Sequence, residues 1–216
     1  MRSAGRTTLT LFAILFLVGA SCLASSNFLR VDAGLLFIGN ADPDSAPSPL
    51  VQTIGISVPV QEGQAWVLYT GIQVFGTLNQ LAEGRPLPVE IEVPGQRWLW
   101  VLGGIADLRA GLKMGLGSKV DLAVLVGPAL VLRYPVLASA EAEADKSAAI
   151  KYYYDKGRFF YPEAEIFVRV SVSERLAVGM ALRGLVPAYH LWSDQGMPFW
   201  DEAHVLGVVG FHVRLW

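Results

Sequence analysis

The residues best equipped for chemistry lie near the C-terminal end of the chain. Tyr189-His190-Leu191-Trp192-Ser193-Asp194 places a serine, a histidine and a carboxylate within six positions. These are the types of a hydrolase triad, in which the imidazole takes the serine proton and the carboxylate orients the imidazole. The spacing argues against that chemistry. His190 and Ser193 are three apart and point to opposite faces of an extended segment, and no G-x-S-x-G motif is present. We therefore assign no catalytic residue and read the chain as non-enzymatic. The histidines at 190, 204 and 212 are the other candidates. His204 and His212 share a parity, but eight extended residues separate them by roughly 26 Å, too far to share an ion. The single cysteine, Cys22, excludes a disulfide framework and a cysteine zinc site. No metal and no cofactor is expected.

A larger constellation is charged: Arg30, Asp32, Asp107, Arg109, Lys113, Asp121, Arg133, Glu163, Glu165, Arg169, Arg183, His212 and Arg214. Both signs occur in near balance, each on the less apolar side of an alternating segment. In a low-dielectric setting such charges must be paired. Two readings follow, a structural plug of ion pairs or a gated polar path for small solutes.

The elements that position these groups follow from composition and period. Of 216 residues 53% are hydrophobic and 17% charged, with a net charge of -2 and 22 glycines. Soluble domains carry roughly 25% charge, so the apolar surface needs an explanation. The chain is too apolar for disorder, and without a basic stripe nucleic acid is excluded as a partner. At the N-terminus Arg2 and Arg6 precede a ten-residue apolar run, 9–18, and then small residues. This reads as a signal peptide over 1–24, too short to span a membrane as a helix. Two cleavage sites compete. One is a cut before Ser25; the other is a loose lipobox, Gly19-Ala20-Ser21-Cys22, that leaves Cys22 lipidated.

From residue 25 onward the dominant period is two. Eight segments alternate: 28–38, 51–60, 65–75, 97–116, 120–134, 159–172, 176–186 and 203–216. One face of each is apolar, as in Ile54, Ile56, Val58 and Val60. The other is glycine, alanine and an occasional charge, as in Asp107, Arg109, Gly111 and Lys113. The connections alternate strictly. Those at 61–64, 117–119 and 173–175 are tight turns, whereas 39–50, 76–96, 135–158 and 187–202 are long. That rhythm, and segments of about 9–11 residues, predict an all-β, eight-stranded, antiparallel up-and-down transmembrane barrel over 25–216. Splitting 97–116 in two would give nine strands and break the rhythm. Backbone groups in lipid have no water partners, so such a sheet must close. Its apolar parity faces lipid and its small and charged parity fills the narrow interior. Trp66, Trp98, Trp100, Tyr134, Phe159 and the terminal Trp216 are candidates for aromatic girdles. In the third long loop 138–150 reads as a short helix. The run Lys151-Tyr152-Tyr153-Tyr154-Asp155-Lys156 after it suits a membrane-interface anchor or a partner-binding patch. Val89, Ile91 and Val93 in the second long loop suggest a hairpin lip above the wall.

With its leader, eight alternating segments, loop rhythm and terminal aromatic, the chain resembles the small outer-membrane barrels of the OmpW and OmpA/OmpX type, including those of spirochaetes. It departs in one respect: Trp216 is out of parity with Phe211, Val213 and Leu215. The resemblance implies location in the outer membrane of a diderm bacterium. It also implies contact with membrane lipid and with the barrel-assembly machinery through the C-terminal strand. For function it implies a porin-like, OmpW-like route for small hydrophobic solutes, with which the inward Leu125, Val131 and Leu206 are compatible. The alternative is a plugged structural or adhesive barrel whose surface loops bind host or envelope proteins.

Overall fold

The computed structural model describes residues 28–41, 48–82, 84–91, 95–193 and 198–215. The expected signal peptide, both cleavage sites and Trp216 lie outside them. Among the described residues nine strands occur: β1 (Phe28–Ile38), β2 (Leu50–Glu62), β3 (Trp66–Ala82), β4 (Arg85–Val89), β5 (Trp98–Gly115), β6 (Val120–Ala138), β7 (Phe160–Ser171), β8 (Leu176–Leu185) and β9 (His204–Arg214). Eight of them form the barrel. Every pairing is antiparallel, β1 pairs with both β2 and β9, and the β2–β3 ladder closes the ring. The ninth, β4, pairs only with β3. It extends the wall within the second loop, but over Arg85–Val89 and not along Val89, Ile91 and Val93: Ile91 lies outside the strand and Val93 outside the described residues, whereas β5 runs unbroken.

β3, β5 and β6 have 17, 18 and 19 residues, well beyond the about 9–11 needed to cross a bilayer. Their surplus lies at the long-loop end, where β4 joins them, so one side of the wall stands higher. A 3-10 turn over Ala140–Asp145 leads into helix α1 (Lys146–Tyr154), which packs on β6 and β4. The helix thus begins later than the sequence reading had it and includes the tyrosine run. Ala149 and Tyr153 are one helical turn apart on the same face, and both are buried with Leu99 and Val101. The tyrosines therefore turn inward instead of anchoring at a membrane surface.

The period-two pattern decides which side chains enter the barrel. Ile54, Ile56, Val74, Leu102, Leu108, Ile166, Met180 and Phe211 are exposed on the outer wall. Leu36, Ile38, Phe75, Ile105, Leu125, Val131, Leu206 and Val208 are buried within it. Inward glycines make room for large neighbours. A Cβ on Gly103 would strike the Phe75 ring, one on Gly210 would strike Asp32, and one on Gly71 would crowd Ser57 and Arg109. Gly127, with Gly111, is the tightest among them. A Cβ there would stand 1.9 Å from the Leu108 carbonyl oxygen, which is backbone and cannot rotate away. Gly127→Ala is expected to destabilise the barrel by about 1–3 kcal/mol through overpacking. Gly184→Ala, where nothing lies within 4 Å, is expected to be neutral or slightly stabilising, since glycine weakens a strand interior. Urea midpoints of the two variants in detergent micelles check this; equal midpoints would count against it.

Candidate functional site

The interior is stratified, and its middle layer is ionic. Arg30 on β1 donates from Nε to Asp32 Oδ1 at 2.6 Å and from Nη1 to Glu165 Oε1 at 2.7 Å. Arg109 on β5 donates to Asp107 Oδ1 at 2.8 Å, to the other Glu165 oxygen, and to Ser57 Oγ at 3.0 Å. Arg183 on β8 donates from Nη2 to Asp107 Oδ2 at 2.8 Å and to Glu163 Oε2 at 2.6 Å. The guanidinium forks and carboxylates interlock across the lumen, with Asp107 and Glu165 each accepting from two arginines. All of these side chains are at most 1% exposed. The cluster is thus almost wholly removed from solvent. Arg30 also lies over the Phe167 ring, 4.5 Å from its centroid, and Phe167 packs on His212. The structure thus brings Arg30, Asp32, Asp107, Arg109, Glu163, Glu165 and Arg183 into one cluster, with His212 beside it.

The remaining expected interior charges sit elsewhere. Lys113, Asp121 and Arg169 gather at the short-turn mouth around Glu62. Lys113 Nζ bonds Glu62 Oε1 at 2.5 Å, and Arg169 bonds Asp121 Oδ2 at 2.5 and 3.0 Å. These pairs are partly exposed and contribute less to stability. Arg214 is a correction: it is exposed at the last position of β9, over the Phe28 ring, and does not enter the interior. The parity rule places it inward, but the strand ends before the wall can enclose it.

At the opposite end a second buried polar layer joins Arg133, one of the expected interior charges, to loop residues whose meeting the sequence does not reveal. Arg133 Nη2 donates to Glu202 Oε2 at 3.0 Å, Tyr152 Oη donates to Glu202 Oε1 at 2.9 Å, and Tyr161 Oη donates to Glu202 Oε2 at 3.3 Å. Arg133 lies over the Tyr153 ring at 4.6 Å, and Arg158 lies over Tyr152 at 4.0 Å and Tyr189 at 5.3 Å. Arg85, from β4, pairs with Asp201, whose Oδ1 accepts the Ala41 N–H at 2.9 Å. All four long loops are thereby tied over the mouth. Burial opposes ionisation of Glu202, but the Arg133 charge and hydrogen bond, with help from Arg85 and Tyr152, hold its carboxyl down at about 2. Asp201 goes the other way. Its burial raises it from its ordinary value despite the Ala41 N–H and Arg85.

The serine and histidine of the 189–194 run do not assemble into a catalytic pair. Ser193 is buried, and its backbone carbonyl accepts the Lys156 ammonium. His190 Nε2 lies 2.9 Å from the Asp201 carbonyl oxygen, and Asp194 is outside the described residues. Among the described residues no group of three metal-ligating side chains comes together.

With this geometry established, two solved structures share the architecture. The outer membrane protein OprG from Pseudomonas aeruginosa superposes with a TM-score of 0.52 at 10% identity, covering 87% of this chain and 95% of that one. Neisserial surface protein A superposes with a TM-score of 0.50 at 10% identity, covering 87% and 96%. No family model matches the sequence, and no match to a curated protein was found. The fold is that of an outer-membrane β-barrel.

In an outer-membrane barrel the aromatic residues at the two rims matter. Trp66 is exposed on the outer wall at the short-turn end, and Trp100 and Tyr134 are exposed at the long-loop end. The Trp100 ring lies across Gly76, so a large side chain covers a position without one. Trp98 is half-buried nearby. Phe159 is also half-buried, in the turn before β7, with its ring 6.2 Å from Tyr154. The sequence reading missed Phe37, Trp192, Phe199 and Trp200 as rim candidates, all exposed at the long-loop end. Phe37 was legible by parity as outward. The other three lie in a loop without a period.

Proposed function

We propose that this chain is an outer-membrane barrel of a diderm bacterium, exported by the segment 1–24, whose lumen is closed to water and ions. Its short turns face the periplasm and its long loops face outward. It acts as a structural or adhesive surface protein, with the tied loops presenting the partner-binding face to host or envelope proteins. The observation that carries this reading is the solvent-inaccessible Arg30–Arg109–Arg183 cluster across the lumen, with the Glu202 layer above it. Charges so paired favour a plug over a solute path. Purified protein in planar lipid bilayers is expected to give no conductance above bare membrane. Ohmic single channels would overturn the closed-lumen reading, and recovery as a soluble periplasmic protein would overturn the location.

A second reading, an OmpW-like path for small hydrophobic solutes, draws support from the interior between the two polar layers. Leu36, Ile38, Phe75, Ile105, Val131 and Leu206 line it, a setting that tolerates an apolar solute and rejects an ion. Uptake of a small aromatic hydrocarbon into liposomes, faster with the protein than without it, would favour this path over the plugged barrel.

A further inference from the structure

The outer wall of a small barrel is convex, but here it carries a hollow. Between β2 and β6 lies a depression of about 490 Å³. Its floor is Gly104, Ala106 and Leu132, and its rim includes Ile54, Ile56 and Val74. By parity all six belong to the membrane side. Yet Ala106 is 9% and Leu132 5% exposed, against 56% for Ile54 and 42% for Val74. Gly104 and Ala106 carry no tall side chain, so the wall is low beside the β-branched Ile54, Ile56 and Val74. Ala106 is midway along β5 and next in sequence to Asp107 of the ionic cluster. The depression is therefore set at mid-wall, back to back with the plug, and its lining is apolar throughout.

We propose that this depression seats one acyl chain of a membrane lipid, resting on the reading of the chain as a bilayer-spanning barrel. The shape and level choose the occupant. A second barrel presents a convex wall and cannot reach the floor. A transmembrane helix, about 10–12 Å across, is too thick to sink below the rim. At ~30 Å³ for a water-sized group such as a methylene, the volume holds on the order of 16 of them, a fatty acyl chain. Nothing polar lines the site to hold a headgroup. Apolar surface gains no hydrophobic free energy on leaving hydrocarbon, so association there depends on close packing. A chain lying in the hollow gains dispersion contacts on three sides, which it lacks against a convex wall.

The test uses full-length barrel reconstituted in vesicles of palmitoyl-oleoyl phosphatidylethanolamine and phosphatidylglycerol, released in mild detergent and weighed by native mass spectrometry. One retained phospholipid per barrel is expected. Ala106→Phe, which fills the floor, is expected to lower its occupancy at least tenfold, whereas Ile166→Phe on the far wall leaves it unchanged. Gly104→Leu provides a second filling variant should the first fold poorly. Inserted wild type without lipid, or with lipid that the filling variants retain, overturns the proposal. So does a dimer that the filling variants dissociate. Failure of the wild type to insert at all would instead reject the bilayer-spanning reading itself.

Discussion

Arg109→Met is expected to destabilise the folded barrel by about 3–5 kcal/mol, the range for breaking a buried ion pair from one side. In the lumen three arginines, at 30, 109 and 183, face four carboxylates, at 32, 107, 163 and 165. Removing Arg109 takes the local imbalance from one negative charge to two. It also strips Asp107 and Glu165 of a donor each and Ser57 of its partner. All of these groups are buried away from water. Arg109→Met with Glu165→Leu returns the imbalance to one charge and is expected to recover more than half of the loss. Replacing both members of a buried pair with apolar residues of similar size is often close to neutral. Urea-unfolding free energies of the wild type, the two single variants and the double variant in detergent micelles give the coupling directly. Strictly additive losses would mean that the two side chains act independently, contrary to their geometry.

The cluster also shows what a sequence can and cannot convey about such a barrel. That Arg30, Asp107, Arg109, Glu165 and Arg183 point inward was legible, because side-chain direction in a strand has a fixed period of two. The eight-strand ring was legible for a related reason. Closure is the remaining solution when alternating segments face lipid, and the turn lengths fixed their order. Which charges meet was not legible. Arg109 and Glu165 are 56 residues apart and on non-adjacent strands, so their contact depends on register and on the narrowness of the lumen. Register also separates Lys113, Asp121 and Arg169 from the buried cluster, although all share its parity. The outer layer was missed for a different reason. Glu202, Arg158 and Tyr189 lie in long connections, where no strand repeat links residue number to direction, and Tyr152 lies on α1. Tyr153 was misjudged because a helical turn, not an extended run, sets its face. The wall depression arises from Gly104 and Ala106 meeting Ile54 and Val74 across two ladders, a coincidence of register that no single segment displays.

Glu202→Ala is expected to release the outer layer while leaving the barrel folded. The carboxylate accepts from Arg133, Tyr152 and Tyr161, so its loss frees α1 from the mouth and strands the buried Arg133 charge. A carboxyl held at about 2 instead of its usual 4.5 corresponds to about 3 kcal/mol at 1.36 kcal/mol per unit. Hydrogen exchange in Lys146–Tyr154 should therefore quicken by on the order of 100-fold at neutral pH, with exchange in β5 and β7 unchanged. The pH dependence has a definite sign. Glu202 has the lower value when the loops are tied. Its contribution is therefore complete above about 4.5 and is lost as pH falls toward 2. The layer should stay closed from pH 8 to pH 5 and loosen only below about 4.5. Asp201, raised by burial, has the opposite sign and offsets part of that loosening as it takes up a proton. The backbone provides a further discriminator. Glu202 adopts φ +61°, a left-handed conformation costing a side-chain-bearing residue roughly 1 kcal/mol or more. Glu202→Gly removes the same carboxylate but relieves that strain, so it should loosen the loops less than Glu202→Ala does. Unchanged exchange in both variants would mean that Glu202 does not hold the loops. Equal acceleration in both would instead place the whole effect in the side chain.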